Sequence, residues 1–119
     1  MNADKSVTAN YTDSGCVSST VSVDSIVPGK QRGSRGQYFG TVSVTVLDDC
    51  GDPVANANVV GTFTGSYSET LVATSNAHGI ALFTTTTEVK KPAYTFCVDD
   101  IVHALAYSAS DNVESCDSY

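Results

Sequence analysis

Residues 40–65 read GTVSVTVLDDCGDPVANANVVGTFTG, and this stretch decides the class of the fold. Val42, Val44 and Val46 share one parity and Thr41, Ser43 and Thr45 the other, the period of a strand with one face in the core and one in solvent. Asp48-Asp49-Cys50-Gly51-Asp52-Pro53 then breaks the pattern with side-chain turn formers, a glycine and a fixed proline φ. After Asn56, Ala57, Val59, Gly61 and Phe63 resume the alternation. Two strands around such a turn predict an antiparallel all-β domain.

Composition supports the same class. The chain has 119 residues, enough for one domain with a real core. Thirteen acids against six bases give a net charge of −7, so no nucleic-acid partner is expected, because phosphate backbones repel such a surface. Only 16% of residues are charged, and Ser, Thr, Val and Gly suit strand faces and short turns. No stretch has helical periodicity. No apolar run approaches the roughly 20 residues of a membrane helix, so no membrane insertion is expected. Met1 is followed by Asn2-Ala3-Asp4-Lys5 with no apolar leader, which suits a domain cut from a longer secreted protein with an added initiator.

Outward from the opening stretch, residues 1–16 read as a linker or short edge strand and residues 17–119 as the domain. Val17, Val21, Val23 and Val27 predict a strand that Pro28-Gly29 stops. Residues 29–37 then read as a flexible basic loop carrying Lys30, Arg32 and Arg35. Tyr38 falls on the inner parity of its strand and Phe39 on the outer. Tyr67 sits at a loop tip, residues 69–74 form a short strand, and Ser75-Asn76-Ala77-His78-Gly79 a tight turn with Gly79 at positive φ. Residues 80–87 give another strand and Lys90-Lys91-Pro92 a second basic turn. Tyr94, Phe96 and Val98 face inward with Cys97 outward; His103, Leu105 and Tyr107 give a last strand, and residues 108–119 a polar tail. About seven strands at regular spacing predict a two-sheet antiparallel sandwich of immunoglobulin-like type.

The four cysteines, Cys16, Cys50, Cys97 and Cys116, show no zinc-ligand spacing and read as two disulfides, hence an oxidising compartment. Cys50 lies in the turn beside the strand that carries Cys97, and the other two flank the domain. The expected pairs are Cys50–Cys97 and Cys16–Cys116.

Three runs carry a resemblance: Asp49-Cys50-Gly51-Asp52-Pro53-Val54 with Ala57-Asn58-Val59, then Ser75-Asn76-Ala77-His78-Gly79-Ile80-Ala81, then Thr95-Phe96-Cys97-Val98-Asp99-Asp100-Ile101 with Val102-His103-Ala104. Over residues 17–116 the chain resembles bacterial immunoglobulin-like domains of the invasin and intimin kind. It is most similar to the non-catalytic modules near the C-termini of secreted bacterial hydrolases, including subtilisin-like proteases. Asn76 stands where that pattern has Asp and His78 where it has Asn, which argues against calcium at that turn. The resemblance implies a fold and carries no catalytic residue.

Among candidate sites, Asp48, Asp49, Asp52, Asp99 and Asp100 offer the oxygen-rich set that calcium takes; the competing reading is turn capping and solubility. Lys30, Arg32 and Arg35 could hold an anionic polysaccharide or an acidic partner domain, and Tyr67 could offer a sugar platform, against the plain reading of a solvated loop. No G-x-S-x-G elbow occurs, and no enzyme is expected. The expectation is a monomeric, non-catalytic accessory or surface module of a secreted or cell-surface bacterial protein, contacting neighbouring domains of its parent and needing no cofactor. The alternative is a carbohydrate-binding module that targets an attached hydrolase to a polysaccharide.

Overall fold

The computed structural model describes residues 17–119, which form two four-stranded sheets packed face to face. The linker assigned to residues 1–16, and Cys16 with it, lies outside the described residues. In chain order the strands are β1 (Thr20–Arg32), β2 (Tyr38–Asp48), β3 (Asn58–Gly65), β4 (Glu69–Thr74), β5 (Ile80–Val89), β6 (Tyr94–Val102), β7 (Ala106–Tyr107) and β8 (Cys116–Ser118). One sheet runs β5-β2-β1-β7 and the other β4-β3-β6-β8. Every pairing is antiparallel except the short β1–β7 contact. The chain is an all-β sandwich, and among the described residues the only helical element is a single 3-10 turn, Ala109–Asp111.

The alternation read from residues 40–65 is the packing pattern. Val42, Val44 and Val46 meet Ala57, Val59 and Phe63 in the core, together with Ala81 and Phe83 from β5 and Tyr94, Phe96 and Val98 from β6. Gly61 holds the same inward parity, and its missing side chain makes room for the Phe96 ring. Phe96 stands edge-on to Phe63, with centroids 4.9 Å apart, and Phe83 packs against it at 4.8 Å. Aromatic pairs at such angles add about 0.5–1.5 kcal/mol each beyond burial.

Two bulges shift the face that the alternation presents. In β1 the register slips between Val23 and Ser25, so Val21, Val23 and Ile26 are buried while Val27 is 61% exposed and Val17, before the strand, 84% exposed. In β6 the slip opposite Val60 and Gly61 inserts a residue, and Ile101 turns inward after Val98. A bulge adds one unpaired residue and so reverses the parity beyond it.

Pro28-Gly29 does not stop β1, which continues to Arg32, with Pro28 opposite Val42. Proline is tolerated because its missing donor, two residues beyond Ile26, lies on the side away from β2. Beyond the two residues paired with β7, β1 meets side chains on that side: the Val23 N–H donates to Asn112 Oδ1 at 2.8 Å and the Ile26 N–H to Glu114 Oε1 at 2.6 Å. Val113 N–H donates in turn to the Val23 carbonyl at 2.9 Å. The expected polar tail is thus part of the sandwich. It runs along the open edge of β1, crosses to the other sheet and ends as β8 beside β6. The strand expected around His103 and Leu105 shrinks to the two residues of β7; His103 instead accepts the Leu105 N–H on Nδ1 at 3.1 Å.

Candidate functional site

The residues with chemical potential fall at the two ends of the sandwich. At one end the turn after β2 is built by its own carboxylates: Asp48 Oδ1 accepts the N–H groups of Cys50 and Asp52, both at 2.9 Å. Asp49 reaches across to the start of β1, accepting the Ser19 N–H at 3.0 Å and the Ser19 hydroxyl at 2.9 Å. Those bonds to its ionised form hold the Asp49 carboxyl below the usual carboxylate range. Among the described residues, the potential metal ligands drawn within 4.8 Å of one another are Asp48, Asp49 and Cys50. Cys50 is disulfide-bonded, so it offers no thiolate, and two carboxylates fall short of the roughly six to eight oxygens calcium takes. Asp52, Asp99 and Asp100 do not join this group. The Asp99 carboxylate accepts the Thr62 hydroxyl on the outer face of its sheet, and Asp100 Oδ1 accepts the Ile101 N–H at 2.8 Å.

The neighbouring turn closes as its residues suggested. Asn76 Oδ1 accepts the N–H groups of His78 at 2.9 Å and Ile80 at 3.1 Å, and Gly79 takes φ 77°. A Cβ at Gly79 would lie 2.7 Å from the Val46 carbonyl oxygen, so both the φ and the close approach require glycine here.

At the other end the cations are less loop-like than expected. Lys30 and Arg32 lie on β1, opposite Gly40 and Tyr38, and only residues 33–37 form the connection. Lys30 Nζ sits 4.6 Å from the centroid of the Tyr38 ring and 6.0 Å from that of Tyr119, an arrangement that attracts the cation to the ring faces. Arg35 and Gly36 have φ of 55° and 72°, and Gln37 N–H donates to the Ser34 carbonyl at 2.9 Å, the geometry of a type I′ turn. Glu88 clamps this turn by accepting the Ser34 N–H at 2.6 Å. Arginine is an unfavourable choice at a left-handed position that asparagine or glycine fills at lower cost.

Tyr67 is not at an exposed tip. It is 2% exposed, meets Phe63 and Tyr94 edge-on at 6.1 and 5.3 Å, and donates its hydroxyl to the Tyr38 carbonyl at 2.7 Å. The stretch after Gly65 folds back over the core because Ser66 and Ala93 close it: Ser66 N–H donates to the Ala93 carbonyl at 3.0 Å and Ala93 N–H to Ser66 Oγ at 3.0 Å. Tyr94 ties the sheets together, accepting the Gly29 N–H at 3.0 Å and donating to the Thr41 carbonyl at 2.8 Å. Burial pushes both phenols above the ordinary tyrosine value. Tyr38 is half-buried beneath Lys30 and not part of the core.

The cysteines pair differently from the expectation. Cys97 bonds Cys116, the residue directly opposite it on β8, with Cα atoms 4.1 Å apart. Val98 N–H donates to the Ser115 carbonyl, which makes Cys97 and Cys116 a pair without mutual ladder bonds, the closer of the two antiparallel spacings and the one a disulfide spans. The outward parity of Cys97 was correct, but the neighbour on that face is β8 and not the turn of Cys50. Cys50 is itself disulfide-bonded, with neither Cys97 nor Cys116.

Comparison of the chain with protein-family models, with curated proteins and with solved structures found no match.

Proposed function

We propose that the chain is a non-catalytic, immunoglobulin-like accessory module of a secreted bacterial protein, with a structural or interaction role. One observation carries this reading: many of its described carboxylates are engaged in holding the backbone. Asp48, Asp49, Glu69, Glu88 and Glu114 each accept at least one backbone N–H. Carboxylates committed to backbone donors are not free to take a proton from a substrate or deliver one to it. The buried hydroxyls are occupied likewise. Ser75 donates to the Val54 carbonyl and accepts the Ala57 N–H, and Thr85 donates to the Thr87 carbonyl and accepts the Gly40 N–H. The Cys97–Cys116 disulfide fits an oxidising compartment and so a secreted or surface location.

The rival reading, a carbohydrate-binding module, asks for an exposed aromatic platform, and the burial of Tyr67 removes its first candidate. The test is twofold. The purified domain is assayed on peptide, ester and glycoside substrates and pulled down on cellulose, chitin and xylan. The expected result is no turnover that survives repurification and no retention on any polymer. Turnover overturns the proposal, and retention transfers it to the rival.

A further inference from the structure

The sandwich is an electrical dipole along its strands. All five Lys and Arg among the described residues sit at one end: Lys30 and Arg32 close β1, Arg35 tips the turn that follows, and Lys90 and Lys91 come directly after Val89, which pairs with Tyr38. Three acidic side chains share that end, Glu69, Glu88 and Asp117, each accepting a backbone N–H, and five cations against these three leave its side chains net positive. The opposite end presents Asp48, Asp49 and Asp52, with Asp99, Asp100 and Asp111 in the same half and no described cation among them. β2 spans the distance between the ends, and its 11 residues make about 36 Å. At physiological ionic strength the screening length is about 8 Å, so each end acts on a partner with its own sign and not with the net −7 of the chain.

We propose that the two ends are complementary docking surfaces, and that the basic end of one copy seats against the acidic end of a second copy of this chain. Both halves of the contact are on the same molecule, and the residues that make it are preset. The carboxylates of Asp48 and Asp49 are held in position by the hydrogen bonds of the turn they build, and Arg35 is held at the hairpin tip at a φ that arginine does not favour, against the local preference for asparagine or glycine. Residues that break a local rule mark positions where the side chain serves something besides the fold. The contact is heterologous, head to tail, and propagates copies in a line. It also brings Tyr119 of one copy, which lies at the basic end on Tyr94, toward Ser19 of the next, which lies at the acidic end on Asp49. The inference is independent of the proposed lack of catalysis, since association is read without any substrate.

Sedimentation equilibrium of the full chain, up to millimolar protein, tests it at two salt concentrations. In about 0.1 M salt, where the screening length is about 10 Å, the average mass is expected to rise with protein concentration above the 12.4 kDa of one chain; in about 1 M salt, at about 3 Å, it returns to one chain. Lys90→Glu with Lys91→Glu reverses the charge balance of the basic end, where Lys30, Arg32 and Arg35 remain, and Asp52→Lys weakens the acidic one; all three positions are exposed, and unchanged far-UV circular dichroism checks their folding. Each variant alone is expected to stay monomeric. An equimolar mixture is expected to form a one-to-one dimer that grows no further, because each variant keeps intact the end that is altered in the other. A wild-type chain that stays monomeric in about 0.1 M salt overturns the proposal, as does association that persists in about 1 M salt. So does a mixture that remains monomeric, or a basic end that binds a polyanion such as dextran sulfate while copies ignore one another.

Discussion

An alanine at position 61 would place its Cβ 2.0 Å from Cζ of Phe96 and 2.5 Å from Cε1, so the ring could not keep its place between Phe63 and Phe83. Overpacking a rigid core of this kind costs about 1–3 kcal/mol, and Gly61→Ala is expected near the upper end, read as a lower denaturation midpoint in urea. Single side chains also set the pH limits. The Asp49 carboxyl is lowered in the fold, so its contribution is complete above the unfolded value and is lost as pH falls through the folded one. Asp49→Asn is therefore expected to flatten the acid limb of stability against pH. Tyr67 and Tyr94 are raised by burial, so their contribution holds below the unfolded tyrosine value, about 10, and is lost as pH rises past it. Alkaline titration should show the tyrosinate absorbance of these two only together with unfolding; their ionisation in the folded state would contradict the burial.

The C-terminal strand is the element whose place in the fold has the largest consequences. β8 is three residues long, yet it closes the edge of β6, while Asn112 and Glu114 before it serve β1. Closing the loop between Cys97 and Cys116, 19 residues apart, stabilises by about 3 kcal/mol in the chain-entropy account. Cys97→Ala with Cys116→Ala is expected to lower stability by about that amount. It should also raise amide hydrogen exchange first at Val23 and Ile26, whose partners are side chains of the released segment. Equal protection with and without the bridge would show that β8 holds by itself. This element was also the least legible in the sequence. Residues 108–119 carry little apolar pattern, because they bond β1 through an amide and a carboxylate, which in a sequence look the same as solvated side chains. The inner faces of β2, β3 and the first half of β6 were legible, since burial there follows a strict period of two from Val42 to Val46, Ala57 to Phe63 and Tyr94 to Val98. The pattern failed where a bulge intervened, at Ile26 and Ile101, because a bulge is a matter of partner register that one strand does not record.

For the whole molecule, the fold was readable and the pairing of its cysteines was not. Parity places Cys97 outward but does not say which element lies on that side, and the choice of the Cys50 turn rested on nearness in a topology without β8. Tyr67 was misplaced for a related reason: the polar residues around it marked a surface, while the hydrogen bonds of Ser66 with Ala93 carry the ring inward over Phe63. The candidate cations were legible as residues, but their gathering at one end depends on β5 lying beside β2, which no local pattern states. Among the described residues the C-terminal segment is the eighth strand of the sandwich, with Cys116 directly opposite Cys97. Peptide mapping of the purified chain under non-reducing conditions tests this placement: a fragment joining Cys97 to Cys116 is expected, and a fragment joining Cys50 to Cys97, or a free thiol at position 116, would contradict it.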